Sequence, residues 1–543
     1  YGLQNYGFDS TSPSGARNQY FATRGMLPFA IPYDDNGERI LLPGGDVNIV
    51  NPIDEAKYNI NERKYLRTLG SIYAELKFLK DFKYRVNFGP DFHNSRNGIF
   101  RDKNSINEGT SHFAQLGQGN RFNWTIDNLL YYDKTLDKHN FGVTLLHSAS
   151  KFTTETSTMS ARDLPWTSQL WHSLNSVSAL SGFGTGLVET QLLSYMARAN
   201  YGFNNKYLFT GSIRWDGASQ LAEGNQWDIF PSAAFAWRVD QEDFIQNINW
   251  IDQLKLRIGF GTTGNSAVNP YETKGRVETL YYTWGNIVQP GYVSSDASLA
   301  NPVPMANRAL GWEKTTQYNL GFDFGFFKDR LSGSIDFYSS KTSDLLLQMT
   351  IPSLSGYVST FDNIGKTSNK GVDLQLNTRN VITKDFKWNS NISFTASKEK
   401  IDILSNGKND DVGNLWFIGE RVSVYYDYVK DRIWQNTPEY LAEIAKFQTL
   451  GNQTFKPGDI KVVDQNGDYK IDANNDRVIR GSSSPAWNAG FMNNFTYKNW
   501  DLDIFIYARW GFKIAAGQES LEGRFAQRVL DYWTPTNPTN EYP

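Results

Sequence analysis

Between Asp464 and Asp476, oxygen-bearing side chains recur at a spacing that suits a hard cation. Asp464, Asn466, Asp468 and Asp472 fall at relative positions 1, 3, 5 and 9, from which a calcium loop sends its oxygens inward. The loop departs from the EF-hand pattern at several points. Gly467 stands at position 4, Tyr469 takes the place of the turn glycine at 6, Asn475 stands at 12, and Asp476 comes one residue late. Two readings follow. Either Asp464, Asn466, Asp468, Asp472 and Asp476 hold Ca2+, or the Asx side chains bond their own backbone and make a turn.

Other chemistry finds little support. The five histidines, His93, His112, His139, His147 and His172, are scattered and show neither H-E-x-x-H nor paired spacing. Gly182-Phe183-Gly184-Thr185-Gly186 misses the dinucleotide fingerprint and reads as flexible loop. No serine sits in a nucleophile-elbow motif, and the absence of cysteine excludes thiolate chemistry within this chain. The expectation is a protein that is not an enzyme. A formal net charge of −3, with no run of five or six like charges, lacks the basic stripe a nucleic-acid partner would need.

The elements around these residues are strands. In Thr316–Phe326, Tyr318, Leu320, Phe322, Phe324 and Phe326 alternate with Gln317, Asn319, Gly321, Asp323 and Gly325. That period of two marks a strand with an apolar and a polar face. After Phe327-Lys328-Asp329-Arg330 the partner carries Leu331, Gly333, Ile335 and Phe337 against Ser332, Ser334, Asp336 and Tyr338. Similar hairpins are predicted at Ser71–Phe78 with Tyr84–Phe88, Asn123–Tyr132 with Phe141–Leu145, and Leu193–Tyr201 with Tyr207–Trp215. Two more are Val372–Thr378 with Trp388–Ala396, and Trp487–Tyr497 with Trp500–Ala508; Leu254–Phe260 has no assignable partner. The count is about thirteen strands.

Tight turns at one end alternate with long connections at the other: Gly89–Gln118, Ser150–Glu189, Thr262–Gly311, Lys341–Lys370 and Ser397–Ser484. The strand ends carry Tyr195, Tyr201, Tyr207, Trp215, Trp487, Tyr497, Trp500 and Trp510. Short turns, long loops and aromatic girdles are the grammar of a membrane β-barrel, in which no apolar helix is needed. The expected fold is therefore all-β, an antiparallel transmembrane β-barrel embedded in lipid, with 1–543 part of a single barrel domain. Residues 397–484 form a long extracellular loop region containing the calcium-like turn and one helix, signalled by Thr437-Pro438-Glu439 and the helical spacing of Tyr440, Leu441, Ile444 and Phe447. Arg198, Arg214, Asp323, Asp336, Asp501, Asp503 and Arg509 fall on the polar face. They either contact cargo or simply line a wet interior. Trp166, Trp171, Trp227, Trp284, Trp416 and Trp434 lie in predicted loops, where they stack on sugars or anchor the loops to one another.

Five blocks carry a resemblance to the SusC/RagA-type TonB-dependent transporters of Bacteroidota. They are Leu193–Tyr201 with Lys206-Tyr207-Leu208 and Arg214–Ser219; Leu254–Arg257 with Gly261–Asn265; and Trp312–Thr316, Arg330–Gly333 and Lys341–Leu346 together. Asn369–Asp373 is the fourth, and Pro457–Ile460 with Asp464–Asp468 and Asp476–Gly481 the fifth. Their order across Leu193–Gly481 resembles the family's. The resemblance implies a complete barrel of about 22 strands, within the range of outer-membrane barrels. It also implies a plug segment that contacts TonB, which this chain is expected to lack, along with the final strands. The implied partners are a SusD-like surface lipoprotein, TonB and outer-membrane lipid. The implied activity is active import of a glycan or peptide substrate across the bacterial outer membrane. A siderophore or cofactor receptor and a soluble β-rich surface adhesin are the alternatives.

Overall fold

The computed structural model describes residues 2–6, 23, 26–45, 51–53, 55–105, 111–177, 180–275, 278–285, 287–293, 304–405, 407, 409–515 and 531–543. One antiparallel sheet of 16 strands dominates these residues. Its first ten strands are β1 (Gly2–Tyr6), β2 (Asn59–Leu69), β3 (Ile72–Phe78), β4 (Phe82–Arg101), β5 (Phe113–Leu136), β6 (His139–Arg162), β7 (Gly182–Phe203), β8 (Tyr207–Ala218), β9 (Trp227–Arg238) and β10 (Ile251–Asn265). The separate hairpin β11 (Glu278–Trp284) and β12 (Ile287–Val293) precedes β13 (Glu313–Phe326), β14 (Leu331–Thr350), β15 (Ser359–Ile382) and β16 (Phe386–Ile403). Two small ladders follow, β17 (Val424–Tyr428) with β20 (Arg477–Ser482) and β18 (Lys430–Ile433) with β19 (Ile460–Val462). The sheet then ends on β21 (Trp487–Tyr497) and β22 (Trp500–Trp510). Among the described residues the α-helices with full bounds are α1 (Glu55–Tyr58), α2 (Asp243–Gln246) and α3 (Pro438–Gly451).

Strands adjacent in the main sheet are also successive among its strands, as in an up-and-down barrel wall. The one local exception has a plain cause. β2 and β3 both pair with the same edge of β4, with Leu69 opposite Asp91 and Ile72 opposite Phe88. Between them Gly70 donates to the carbonyl of Pro90 at 3.0 Å. Pro90 has no N–H to return toward that edge, so the ladder breaks there. β2 and β3 therefore act as one interrupted stave.

The ladders carry a continuous apolar row. Phe141, Tyr201, Phe209, Phe235, Ile258, Leu320, Phe337, Val372 and Ala396 are successive cross-strand partners from β6 to β16. Phe209, Ile258, Leu320 and Phe337 are exposed. Each sits beside a residue of the opposite, polar face. A contiguous apolar sheet face open on this scale is a surface for lipid rather than water.

Packed cores lie instead at the long-connection end. Phe100, Ala114, Ala161, Leu164, Trp171 and Leu174 form one. Ala218, Leu221, Phe230, Val268, Leu310 and Trp312 form a second. Trp434, Ile444 and Phe447 form a third, under α3.

Three expectations need correction. The predicted loops Gly89–Gln118, Ser150–Glu189 and Lys341–Lys370 are largely strand: β4 runs on to Arg101, β5 begins at Phe113, β6 reaches Arg162, and β14 and β15 extend to Thr350 and from Ser359. The glycines of Gly182–Gly186, read as flexible loop, open β7. In these extensions neither face meets lipid, and apolar residues such as Ile99, Phe100 and the run Leu345-Leu346-Leu347 fall without a period of two, so hydrophobic alternation fades while the backbone ladder continues. The partner missing for Leu254–Phe260 is β9, with β13 on the other side. β9 escapes detection because Pro231 sits inside it. The β9–β10 ladder stops at Ser232, next to that proline, while Pro231 still faces Ile213 of β8. β1 and β2 also lie outside the predicted set.

Candidate functional site

The polar face is organised around Arg257. It projects from β10, and its neighbour across the ladder on β13 is Gly321, followed by Asp336 on β14. A Cβ at Gly321 would lie 2.6 Å from Arg257 Cζ, so only glycine leaves room for the guanidinium to lie across β13. Arg257 Nη1 and Nη2 each donate at 2.9 Å to the Asp336 carboxylate, and Nη2 donates to Asp323 Oδ1 at 2.7 Å. Lys255 adds a longer contact to Asp323 at 3.6 Å. Two carboxylates sharing one bidentate guanidinium tie three strands together on the wet side of the wall. Asp323 and Asp336 thus serve the wall itself. Arg214 likewise turns to Asp216 of its own strand at 2.7 Å and to Ser194 Oγ at 2.9 Å.

At the sheet's edge the polar groups are more open. Asp503 accepts from Asn494 Nδ2 at 2.6 Å, and the Arg509 guanidinium stands 5.0 Å from the Phe512 ring. Asp501 is exposed there, and Arg198 is exposed on the interior strand β7. Arg257 could have been placed on the polar face from the alternation of Leu254–Phe260. Its pairing across two strands required knowing the register.

The Asp464–Asp476 loop folds upon its own amides. Asp464 accepts from Gly467 N at 2.7 Å and Tyr469 N at 2.8 Å. Asn466 accepts from Asp468 N and donates to Asp468 Oδ2, while Asp468 Oδ1 accepts from Lys470 N at 2.8 Å. Asp472 accepts from the amides of Asn474 and Asn475, both at 3.0 Å. The Asn475 amide, followed by Lys470, holds the Asp472 carboxyl below its usual range. Asp476 is fully buried and bridges Gln465 N at 2.8 Å and Asp472 N at 2.7 Å. Tyr469 takes a left-handed φ of 59°, a conformation glycine would hold without strain. Among the described residues no group of three or more His, Asp and Glu is placed to hold a metal ion.

The loop packs beside α3, where the local signals read in the sequence act as anticipated. The Thr437 hydroxyl caps Tyr440 N, Pro438 opens the helix, and Asn452 ends it in a left-handed conformation. Trp434 is the keystone. Its ring meets Tyr440, Phe447 and Phe455 at 5.7, 5.9 and 6.0 Å, and Lys461 Nζ lies 4.7 Å from it. The segment 531–543 is strapped onto this unit: Trp533 Nε1 donates to Gln435 Oε1 at 2.9 Å, and Lys430 Nζ donates to the carbonyls of Asn540 and Glu541.

The tryptophans divide by burial. Trp171 and Trp434 are buried anchors, as the packing alternative had it. Trp227 belongs to β9 and packs tilted against Trp215 at 4.5 Å between ring centroids. Trp166 and Trp284 are exposed, and Trp416 is half-buried. The histidines stay apart in function. His112 contacts Asp102 at 3.2 Å, His147 contacts Asn128, His172 contacts Arg96, and His139 stacks among Phe141, Tyr201 and Phe203.

Comparison with known proteins agrees with this architecture. The sequence profile described as "TonB dependent receptor-like, beta-barrel" matches residues 2–534. The chain is 30% identical over 531 residues to TonB-dependent receptor P3 of Formosa agariphila, covering 94% of the chain and 51% of that relative. It is 32% identical over 322 residues to TonB-dependent receptor SusC of Bacteroides thetaiotaomicron, covering 58% of the chain and 31% of SusC. The structure of the RagAB peptide transporter superposes with a TM-score of 0.76 at 22% identity, over 94% of the chain and 56% of that structure's chain, which shows a shared fold. The chain spans about half the length of the curated relatives P3 and P26 of Formosa agariphila. A sheet with an apolar outer face, a salt-bridged polar face and loops gathered at one end is what such a wall requires, and the chain belongs to the TonB-dependent receptor-like β-barrel family of the bacterial outer membrane.

Proposed function

We propose that this chain forms most of the barrel wall of an importer of the SusC/RagA type. The working protein takes oligosaccharides or peptides from a SusD-like surface lipoprotein and admits them to the periplasm when TonB moves a plug. The carrying observation is the match to the barrel family over nearly the whole chain, joined to 32% identity with SusC. Membership in an outer-membrane family leaves no room for the soluble-adhesin alternative. The two-faced sheet supports the reading physically: one face suits acyl chains, and the other suits a hydrated passage. Purification of the full-length protein from its native membrane is expected to bring down a surface lipoprotein, and its deletion to abolish uptake of one class of oligosaccharide or peptide. A protein that purifies alone, and whose deletion impairs only iron or cofactor uptake, would sink the proposal in favour of the siderophore-type alternative.

For the Asp464–Asp476 loop we propose a self-capped brace that positions α3 against β19 and β20, since its carboxylates already accept from its own amides. Calcium would have to compete with those bonds. The melting temperature of the intact protein is expected to be the same in EGTA and in millimolar calcium. A calcium-dependent rise of several degrees would restore the cation-binding reading of Asp464, Asn466, Asp468, Asp472 and Asp476.

A further inference from the structure

On the polar face, beyond the apolar band, β2, β4, β5 and β6 enclose a groove of about 370 Å3. Its charged lining is basic. Arg63 of β2 and Arg121 of β5 border it, with His93 of β4 between their strands. Tyr65, Asn120, Ser95, Thr154 and Thr156 complete the polar lining, the Ser95 hydroxyl donating to the Gly119 carbonyl at 3.3 Å. Arg63 and Arg121 are exposed, and among the described residues neither makes an ion pair or hydrogen bond. The nearby acid, Asp91, is engaged elsewhere: it takes two bonds of 2.9 Å from Arg67. Arg257 and Arg214, on the same face, both hold carboxylates, whereas Arg63 and Arg121 stand together beside one groove with none in contact.

Two glycines let the hydroxyls of the lining lie close over the backbone. Gly119 lies across the ladders between Ser95 and Thr156, where a Cβ would come within 2.9 Å of Ser95 Oγ. Gly186 follows Thr156 on β7, and a Cβ there would come within 2.9 Å of the Thr156 hydroxyl. Glycine within a strand weakens it and marks a place where another group comes close to the backbone. Guanidinium groups recognise planar oxyanions through paired N–H donors.

We propose that this groove is a subsite for a carboxylate-bearing ligand, with Arg63 and Arg121 as its charge partners and the Thr154 and Thr156 hydroxyls as secondary donors. The carboxylate belongs to an acidic sugar or an acidic peptide. This rests on the import reading only for the origin of the ligand. Binding in detergent tests the groove, whereas uptake by cells tests import, so the two fail separately.

The experiment titrates the intact full-length protein with trigalacturonate, triglutamate and the neutral trisaccharide maltotriose. At least one acidic probe is expected to bind about tenfold or more tighter than maltotriose, a difference that shrinks with added salt. The double variant Arg63→Gln/Arg121→Gln should lower acidic-probe affinity to within about twofold of maltotriose, while Arg63→Lys/Arg121→Lys keeps part of the preference. Whichever acidic probe binds identifies the carrier as saccharide or peptide. Two results would overturn the proposal: no acidic preference in the unmodified protein, or a double variant that binds the acidic probe unchanged. If the double variant binds unchanged and also melts lower, the two cations serve an internal contact of the protein instead.

Discussion

Leu320→Arg is expected to destabilise the folded protein in a bilayer by about 2–4 kcal/mol, because it sets a charge near the middle of the lipid-facing band. Leu320 is exposed on the apolar face, with Ile258 and Phe337 as its ladder neighbours. It lies six residues up the strand from Phe326, where β13 meets its short turn. That distance places it well inside the hydrocarbon zone, beyond easy reach of water for a snorkelling side chain. The neighbouring change Asn319→Arg should cost under about 0.5 kcal/mol, as for a surface position. Asn319 lies on the polar face beside Gly259, whose missing side chain leaves space. Denaturant titration of the full-length protein refolded into vesicles measures both. Equal costs at the two positions would contradict the face assignment.

The second large effect belongs to the loop unit. Trp434→Ala should remove about 3–5 kcal/mol from the local stability of the unit around α3, the usual cost of deleting a fully buried large aromatic. Phe447, Phe455 and Tyr440 would lose their common partner, and the cation over the ring at Lys461 would lose its face. The indole N–H makes no hydrogen bond among the described residues. Trp434→Phe should therefore keep most of the packing and cost about 1 kcal/mol. Limited proteolysis of intact cells separates the outcomes. The alanine variant should be cut within 434–471 while the barrel survives, and the phenylalanine variant should resist. Loss of the whole barrel in the alanine variant would mean that this unit is not a separately cooperative part.

The legible part of the fold was the part that touches lipid. Within the apolar band the two faces meet opposite solvents, so Tyr318 to Phe326 had to alternate, and the hairpins followed. Outside the band both faces meet water or other protein. The upper halves of β4, β5, β6, β7, β14 and β15 therefore carry no hydrophobic period and read as loops, although their backbone ladders continue. β9 was hidden by Pro231, which a strand tolerates only where a ladder has ended. At the candidate sites, residue types were legible but partnerships were not. Asp323 and Asp336 could be placed on the wet face, yet the arginine that joins them comes from another hairpin, across a glycine whose role is visible only with the register in hand. The Asx-rich loop carried two meanings in its spacing. In the folded loop Tyr469 is left-handed with its amide on Asp464, while Asp476 takes the Gln465 and Asp472 amides.

The central claim is that this sheet is a wall with one face in lipid and the other in water. The chain contains no cysteine, so single cysteines introduced along β13 report without competition from within it. Positions 318 to 324 of the full-length protein in native membranes should be labelled by a water-soluble maleimide in strict alternation. Positions 319 and 323 should react once the interior is opened to the reagent, with 321 left as glycine because Arg257 fills the space above it, and 318, 320, 322 and 324 should be protected until detergent is added. Uniform labelling along the strand, or protection of the odd positions in place of the even, would contradict the account.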